Sequence, residues 1–181
     1  MRFMAGDAPC PALLEAYSRG EDVHSWVASE VFGVPAEQVD REMRGLAKNA
    51  GFAKIYGAGV DKFSETAGVT LEKAEDFLRR YDELFPEVAQ WQQRLMNDAQ
   101  RSRTGREWPY VRTILGRKLP VEPNKLYKVT NFRDQGSSAE IAKMAVNRLA
   151  CAGFGEFFRL FVHDEVLLEA PDEIADDDEK I

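Results

Sequence analysis

Apolar residues recur every three or four positions through most of the first hundred residues, a period that predicts a run of amphipathic helices. Residues 11–19 read as a short helix stopped by Gly20, whose missing Cβ suits the turn past a helix end. Asp22 can cap the next helix, expected to run to about Phe32 and end at Gly33, with His24 in its first turn. Pro35 starts a helical segment that leads into a central helix ending near Tyr56-Gly57, and a short helix from about Val60 to Ala67 ends at Gly68. Thr70 caps a helix with Ala74, Phe77, Leu78, Tyr81 and Leu84 on one stripe; Pro86 opens another, with Val88, Trp91, Leu95 and Ala99 inward until Thr104-Gly105. The period then changes. Residues 107–121 form a β-rich run containing Trp108, Pro109, Tyr110, Val111, Ile114 and Leu115, with Gly116-Arg117 as its turn. Lys125 to Ala150 is a long helical stretch with Gly136 as a candidate break, and its second half carries Ala139, Ala142, Ala145, Val146 and Leu149 on one face. Two apolar runs between Leu160 and Leu168 flank His163-Asp164-Glu165, which predicts a hairpin of buried strands with carboxylates at its tip. The pattern is that of a mostly helical α+β protein.

The central helix carries two patterns. Met43, Leu46, Ala47, Ala50, Ala53 and Gly57 repeat at three or four residues and form one smooth packing face. Arg44, Lys48, Phe52 and Tyr56 recur every fourth residue, each about 40° from the last, and form a slowly winding stripe. Cations suit phosphate oxygens, and flat rings suit bases or sugars by stacking. A nucleoside triphosphate has those parts in that order. The same spacing also describes a solvated basic face followed by core aromatics, and spacing alone does not choose between them.

Charge changes the picture locally. The 181 residues carry a net charge of −7, which argues against nucleic acid until its distribution is read. Between Arg94 and Arg133 ten Lys/Arg face only Asp98, Glu107 and Glu122, whereas from Asp164 to Ile181 nine acids face Lys180 alone. The middle could hold a phosphate backbone and the C-terminal stretch could not. Cys10 and Cys151 are isolated and make neither a metal pattern nor a disulfide framework. With no signal peptide and no membrane-length apolar run, a cytoplasmic location is expected and no membrane partner.

Arg44-x3-Lys48-x3-Phe52-x3-Tyr56-Gly57 resembles the fingers-helix motif of family A DNA polymerases, the bacterial polymerase I type. Four further stretches are similar to the same family. These are Asp22-Val-His24 with Glu30-Val-Phe32-Gly33, Thr113-x-x-Gly116-Arg117, Asn131-x3-Gln135-Gly136-Ser-Ser-Ala139-Glu140-Ile141, and Val162-His163-Asp164-Glu165-Val166. Gly51 and Ala53 depart from the family's usual Asn and Gly but stay small, and Tyr127 stands where the bacterial enzymes have Arg. The resemblance implies template-directed transfer of dNTPs to a primer 3′-hydroxyl in DNA replication, with pyrophosphate released. It implies a fingers subdomain with a palm β-hairpin, incomplete at both ends. Residues 1–33 would start the polymerase core at the palm/fingers edge, 34–105 would be the fingers helices, 106–170 a palm portion, and 171–181 an acidic, truncated tail. His24, Arg44 and Lys48 would hold the triphosphate, Phe52 would pack on the incoming sugar and base, and Tyr56 would occupy the templating-base position. Phe52, lacking a hydroxyl, implies discrimination against dideoxynucleotides. Asn131, Gln135, Gly57 and Arg117 would contact primer–template DNA, since amides can read minor-groove acceptors. Asp164 would bind Mg²⁺ in a two-metal site, with His163 near the primer terminus and Glu165 secondary.

The family's upstream strand motif, D-Y-S-x-x-E-x-R, is represented only by Arg2 and the Phe3-Met4-Ala5 that follows, so the two-metal site is only partly encoded. Two readings follow: a polymerase segment whose Met1 is an internal methionine, or a non-catalytic DNA-binding remnant or piece of a split polymerase completed by a second polypeptide. A metal-dependent nuclease built on Asp164 and Glu165 would leave the central helix unexplained.

Overall fold

Helix caps set several of the element boundaries. A computed structural model describes residues 2–163 and 165–171. It contains α1 (Arg2–Asp7), α2 (Pro11–Ser18), α3 (Val23–Phe32), α4 (Arg41–Tyr56), α5 (Val60–Ala67), α6 (Leu71–Leu84) and α7 (Pro86–Arg101). There follow the hairpin β1 (Tyr110–Arg112) and β2 (Lys118–Pro120), α8 (Val129–Leu149), and a second hairpin, β3 (Phe158–Val162) and β4 (Glu165–Leu168). The Asp22 carboxylate accepts from the His24 amide at 3.2 Å and so starts α3; Thr70 Oγ1 accepts from the Lys73 amide and starts α6. Pro35 does not lead continuously into the central helix. A short 3-10 turn, Ala36–Gln38, intervenes, and α4 begins afresh because Asp40 accepts from the Met43 amide at 2.8 Å.

The chain divides into two compact units, 1–136 and 137–181, the division falling within α8. In the first unit one core gathers Met4, Leu13, Val27, Ala47, Ala50, Phe63, Phe77, Tyr81, Phe85, Val88 and Trp91. Each large side chain here contributes roughly 1.5–3 kcal/mol by leaving water. Aromatic edges tie it together: Tyr81 packs T-shaped on Phe85 at 4.8 Å, and Phe32 lies 5.4 Å from Phe77. A smaller cluster, Ala99, Val111, Val121 and Val129, sits under the β1–β2 hairpin with Leu95, Leu119 and Phe132 against it. The hairpin register pairs Tyr110 with Pro120 and Arg112 with Lys118.

Gly136 is no break. α8 runs through it, and the reason for glycine is space: a Cβ there would stand 2.7 Å from Leu119 Cδ1 and 2.9 Å from Thr113 Cγ2. The helical start expected at Lys125 is instead a 3-10 segment, Pro123–Lys128, kinked at Lys125. In the second unit the expected burial is not met. Ala139 and Ala145 are exposed, and Leu160, Phe161, Val162 and Leu167 of the hairpin are at least 38% exposed. A two-stranded ribbon has two faces; at one end of it Phe158 and Leu168 line a small cavity with Val146 and Leu149 of α8 and with Phe154 beyond that helix.

A partly buried polar tie holds the first unit across a long stretch of chain. Arg133 of α8 grips Asp7 of α1 with Nε at 2.8 Å and a terminal nitrogen at 2.6 Å, and Trp91 Nε1 of α7 donates to the same carboxylate at 2.7 Å. Burial opposes ionisation of Asp7, but the hydrogen bonds from Arg133 and Trp91 outweigh it, leaving its pKa below the ordinary value. A carboxylate with a depressed folded pKa contributes stability above its unfolded pKa, and that contribution disappears as pH falls through the folded value. Asp7→Asn should therefore cost about 2–3 kcal/mol at neutral pH. As pH falls below the ordinary carboxylate range and through the depressed folded value, the difference from the parent should shrink. Denaturation across pH checks this; a gap that stays constant into acid would contradict it.

Candidate nucleotide-binding site

The faces of α4 separate as their residue types require. Ala47, Ala50, Gly51, Ala53 and Ile55 are buried, while Arg44, Lys48, Phe52 and Tyr56 are all exposed, Phe52 by 37% and Tyr56 by 46%. The small buried residues let the helix sit close against α3 and α5 and so fix where the stripe points. Along the stripe, Lys48 Nζ lies 5.9 Å from the Phe52 ring centre, and the Phe52 and Tyr56 rings are 6.3 Å apart. Beside the two rings, between α4 and α5, opens a cavity of about 400 Å³ lined by Asn49, Phe52, Tyr56, Lys62, Phe63 and Thr66. That size lies within the range of small-molecule pockets.

At the cationic end the start of α3 meets α4. Arg44 Nε donates to Asp22 Oδ2 at 2.6 Å and a terminal nitrogen reaches Oδ1 at 3.3 Å. The Arg44 guanidinium holds the Asp22 carboxyl down at about 2. His24, one step along α3, is half-buried, and its Nδ1 is enclosed with no partner in the protein. Burial pushes its pKa below the ordinary histidine value; Arg44 and Lys48 push the same way and Asp22 opposes them. The ring is therefore neutral at neutral pH, with a nitrogen still to be satisfied. Lys48 makes no ion pair among the described residues. The arrangement places two cations, an imidazole and two rings on one surface.

The residues assigned to DNA group around α8. Gly57 ends α4 in the left-handed conformation at φ 65°, and a Cβ there would overlap the Tyr127 carbonyl oxygen and stand 3.0 Å from its carbonyl carbon. Tyr127 thus contributes its backbone as the abutment for the end of the central helix, whatever its exposed ring does. Asn131 is half-buried with Oδ1 enclosed and unpartnered, and Gln135 one turn on is exposed. Between them Arg133 turns away to Asp7 and to the Arg112 carbonyl at 2.6 Å, which ties α8 to the β1–β2 hairpin. Arg117 follows the hairpin turn at Gly116, its amide held by Thr113 Oγ1 at 3.0 Å. On the hairpin itself Arg112 and Lys118 flank the Tyr110 ring at 5.3 and 4.6 Å.

In the second unit His163 forms the turn after β3 with φ 55°, and Glu165 opens β4 opposite Val162. Asp164 lies outside the described residues. Among the described residues, which leave out Asp164, no three His, Cys, Asp or Glu side chains converge as a metal-holding group. Also among them, no helix is long and apolar enough to cross a membrane.

Asp22, Asp40 and Asp7 are the groups that sequence reasoning left without a site role. Asp22 reads from the sequence as a cap and as part of the Asp22-Val-His24 stretch; its partner Arg44 lies 22 residues away, and no local pattern signals such a pair.

Comparison with known proteins accounts for this set of features. The family model for DNA polymerase family A matches residues 1–181. The DNA polymerase of Mycobacterium phage D29 is 30% identical over 175 residues, covering 97% of this chain and 28% of that protein. The thermostable DNA polymerase I of Thermus aquaticus is 33% identical over 177 residues, covering 91% of this chain and 20% of that protein. The POL domain of Pol1 from M. smegmatis, solved in complex with DNA primer-template and dNTP, superposes with a TM-score of 0.78 at 28% identity, covering 97% of this chain and 32% of that one. The chain spans between about a fifth and a third of these relatives' lengths. Across its whole length the chain belongs to DNA polymerase family A.

Proposed function

We propose that this chain supplies the incoming-nucleotide site and part of the primer–template interface of a DNA-directed DNA polymerase. The observation that carries the reading is the exposed stripe Arg44, Lys48, Phe52, Tyr56, backed by buried alanines and joined at its cationic end by His24. Two cations beside a neutral imidazole suit a triphosphate, since charge-assisted bonds to phosphate oxygens are the strong ones. Phe52 then faces the sugar and base, and the α4–α5 cavity offers room at Tyr56 for a templating base. The relative from M. smegmatis was solved with both DNA primer-template and dNTP, which supports these two partners. We assign the helices of 34–105 to the fingers and 106–170 to the palm portion. Asn131, Gln135, Gly57 and Arg117 fall to the duplex.

The chain's own residues hold and orient the nucleotide; they position its α-phosphate for a primer 3′-hydroxyl, and catalysis of this kind is largely positioning and charge stabilisation. His163, Asp164 and Glu165 are assigned to the primer side. Asp164 would hold Mg²⁺, which when bound supplies positive charge to a transferring phosphate.

Phe52→Ala separates the parts of the site. Removing one exposed ring should weaken dNTP binding about fivefold, the lower end of base–aromatic stacking. Binding of inorganic tripolyphosphate should stay unchanged. Equal losses for both ligands, read by titration calorimetry, would show that Phe52 supports the helix and not the nucleoside.

A further inference from the structure

The Asp22–Arg44 pair occupies one of the two cations that the nucleotide reading assigns to phosphate. The geometry is the one an arginine makes to an anion, two nitrogens on two oxygens at 2.6 and 3.3 Å. Asp22 is itself anchored, since it caps α3 through the His24 amide and receives the Ser25 hydroxyl at 2.8 Å. The carboxylate therefore stays in place when Arg44 leaves it, and Arg44 always has an anion to return to. Both side chains are 45% exposed, so the pair is a weak one and a triphosphate can displace it. Lys48, with no such rival among the described residues, is available at once.

We propose that Asp22 is an intramolecular competitor for the phosphate chain, holding Arg44 when no nucleotide is bound and retaking it as pyrophosphate departs. Resting on the assignment of Arg44 to the triphosphate, this gives Asp22 a role in product release as well as in capping. A site built only for tight phosphate binding would hold pyrophosphate as firmly as substrate, whereas a built-in rival lowers the affinity for both by the same factor. Because an aspartate ionises well below neutral pH even without Arg44 beside it, the competitor is charged at every pH at which the protein works.

The test is equilibrium binding of inorganic tripolyphosphate and pyrophosphate to the full chain and its variants. Asp22→Asn removes the charge while keeping a side chain that caps helices equally well. It should tighten both ligands about threefold to fivefold, the upper part of the range for an exposed pair. Asp22→Ser, also a capping residue, should do the same, which guards against a particular effect of the amide. Glu21→Gln removes the same charge one residue away, from a side chain that faces Arg19 at 3.6 Å, and should change affinity less than about 1.5-fold. In an Arg44→Ala background Asp22→Asn should have no effect. Unchanged or weaker binding in Asp22→Asn and Asp22→Ser, equal tightening in Glu21→Gln, or tightening that survives Arg44→Ala would each overturn the proposal. Should Arg44→Ala bind tripolyphosphate as tightly as the parent, the assignment of Arg44 to phosphate fails as well. Should it bind more weakly while the Asp22 variants stay level, only the competitor role fails.

Discussion

Lys48→Ala should weaken dNTP binding by about 10- to 100-fold, the loss of one charge-assisted bond worth roughly 1.5–3 kcal/mol. The side chain is exposed on α4 and makes no ion pair among the described residues, so its charge is free for a ligand. Little stability should be lost, since surface substitutions of this kind fall within about 0.5 kcal/mol. Arg44→Ala should cost less than Lys48→Ala. Arg44 must first leave Asp22, and part of what it gains from phosphate is offset by the pair it gives up. Titration of the four dNTPs and of tripolyphosphate measures both variants. A larger loss at Arg44 than at Lys48 would show that the pair with Asp22 persists in the bound state.

The second large effect concerns the end of the same helix. Gly57→Ala combines two costs: an alanine in the left-handed region, about 1 kcal/mol, and a methyl driven into the Tyr127 carbonyl, about 1–3 kcal/mol. The total of roughly 2–4 kcal/mol should lower the melting temperature of the first unit by about 5–12 °C. Gly20→Ala is the internal control. Gly20 has nearly the same conformation, φ 70°, but a Cβ there meets nothing within 4 Å. It should show the conformational cost alone, about 1 kcal/mol. Tryptophan fluorescence reads both, since Trp26, Trp91 and Trp108 all lie in the first unit. Equal destabilisation at the two glycines would mean that the approach of Tyr127 to α4 carries no energy. The distinction bears on the proposed function because this contact joins α4 to the segment that leads into Asn131 and Gln135.

Local signals made much of the fold legible. Asp22 and Thr70 start α3 and α6 where their side chains predict, and Gly33, Gly57 and Gly68 end helices in the left-handed conformation that favours glycine. The two faces of α4 separate as their spacing predicts, because a four-residue step and a three-to-four step diverge on one cylinder. What could not be read depends on residues distant in sequence. Gly136 looks like a helix breaker by type; only the approach of Leu119 and Thr113 explains it as a packing glycine inside a continuous helix. Asp7, Trp91 and Arg133 are spread over 126 positions, and nothing local marks them as one hydrogen-bonded group. Asp40 lies three residues before the amide it caps, a local signal, but Pro35 offers a competing helix start upstream of it. The burial expected at Ala139 and along the β3–β4 strands rested on apolar pattern alone. Pattern marks the face that wants cover and is silent on what covers it.

The central claim is that α4 presents a nucleotide to the rest of the polymerase site, and its most direct test is a dNTP titration followed by backbone amide chemical shifts. Saturable shifts are expected at His24, Arg44, Lys48, Phe52 and Tyr56, common to all four dNTPs at the cationic end and differing among them at Phe52 and Tyr56. Tripolyphosphate should reproduce the shifts at His24, Arg44 and Lys48 alone. Shifts confined to the basic stretch between Arg94 and Arg133, with α4 silent, would contradict it and leave the stripe as a solvated face.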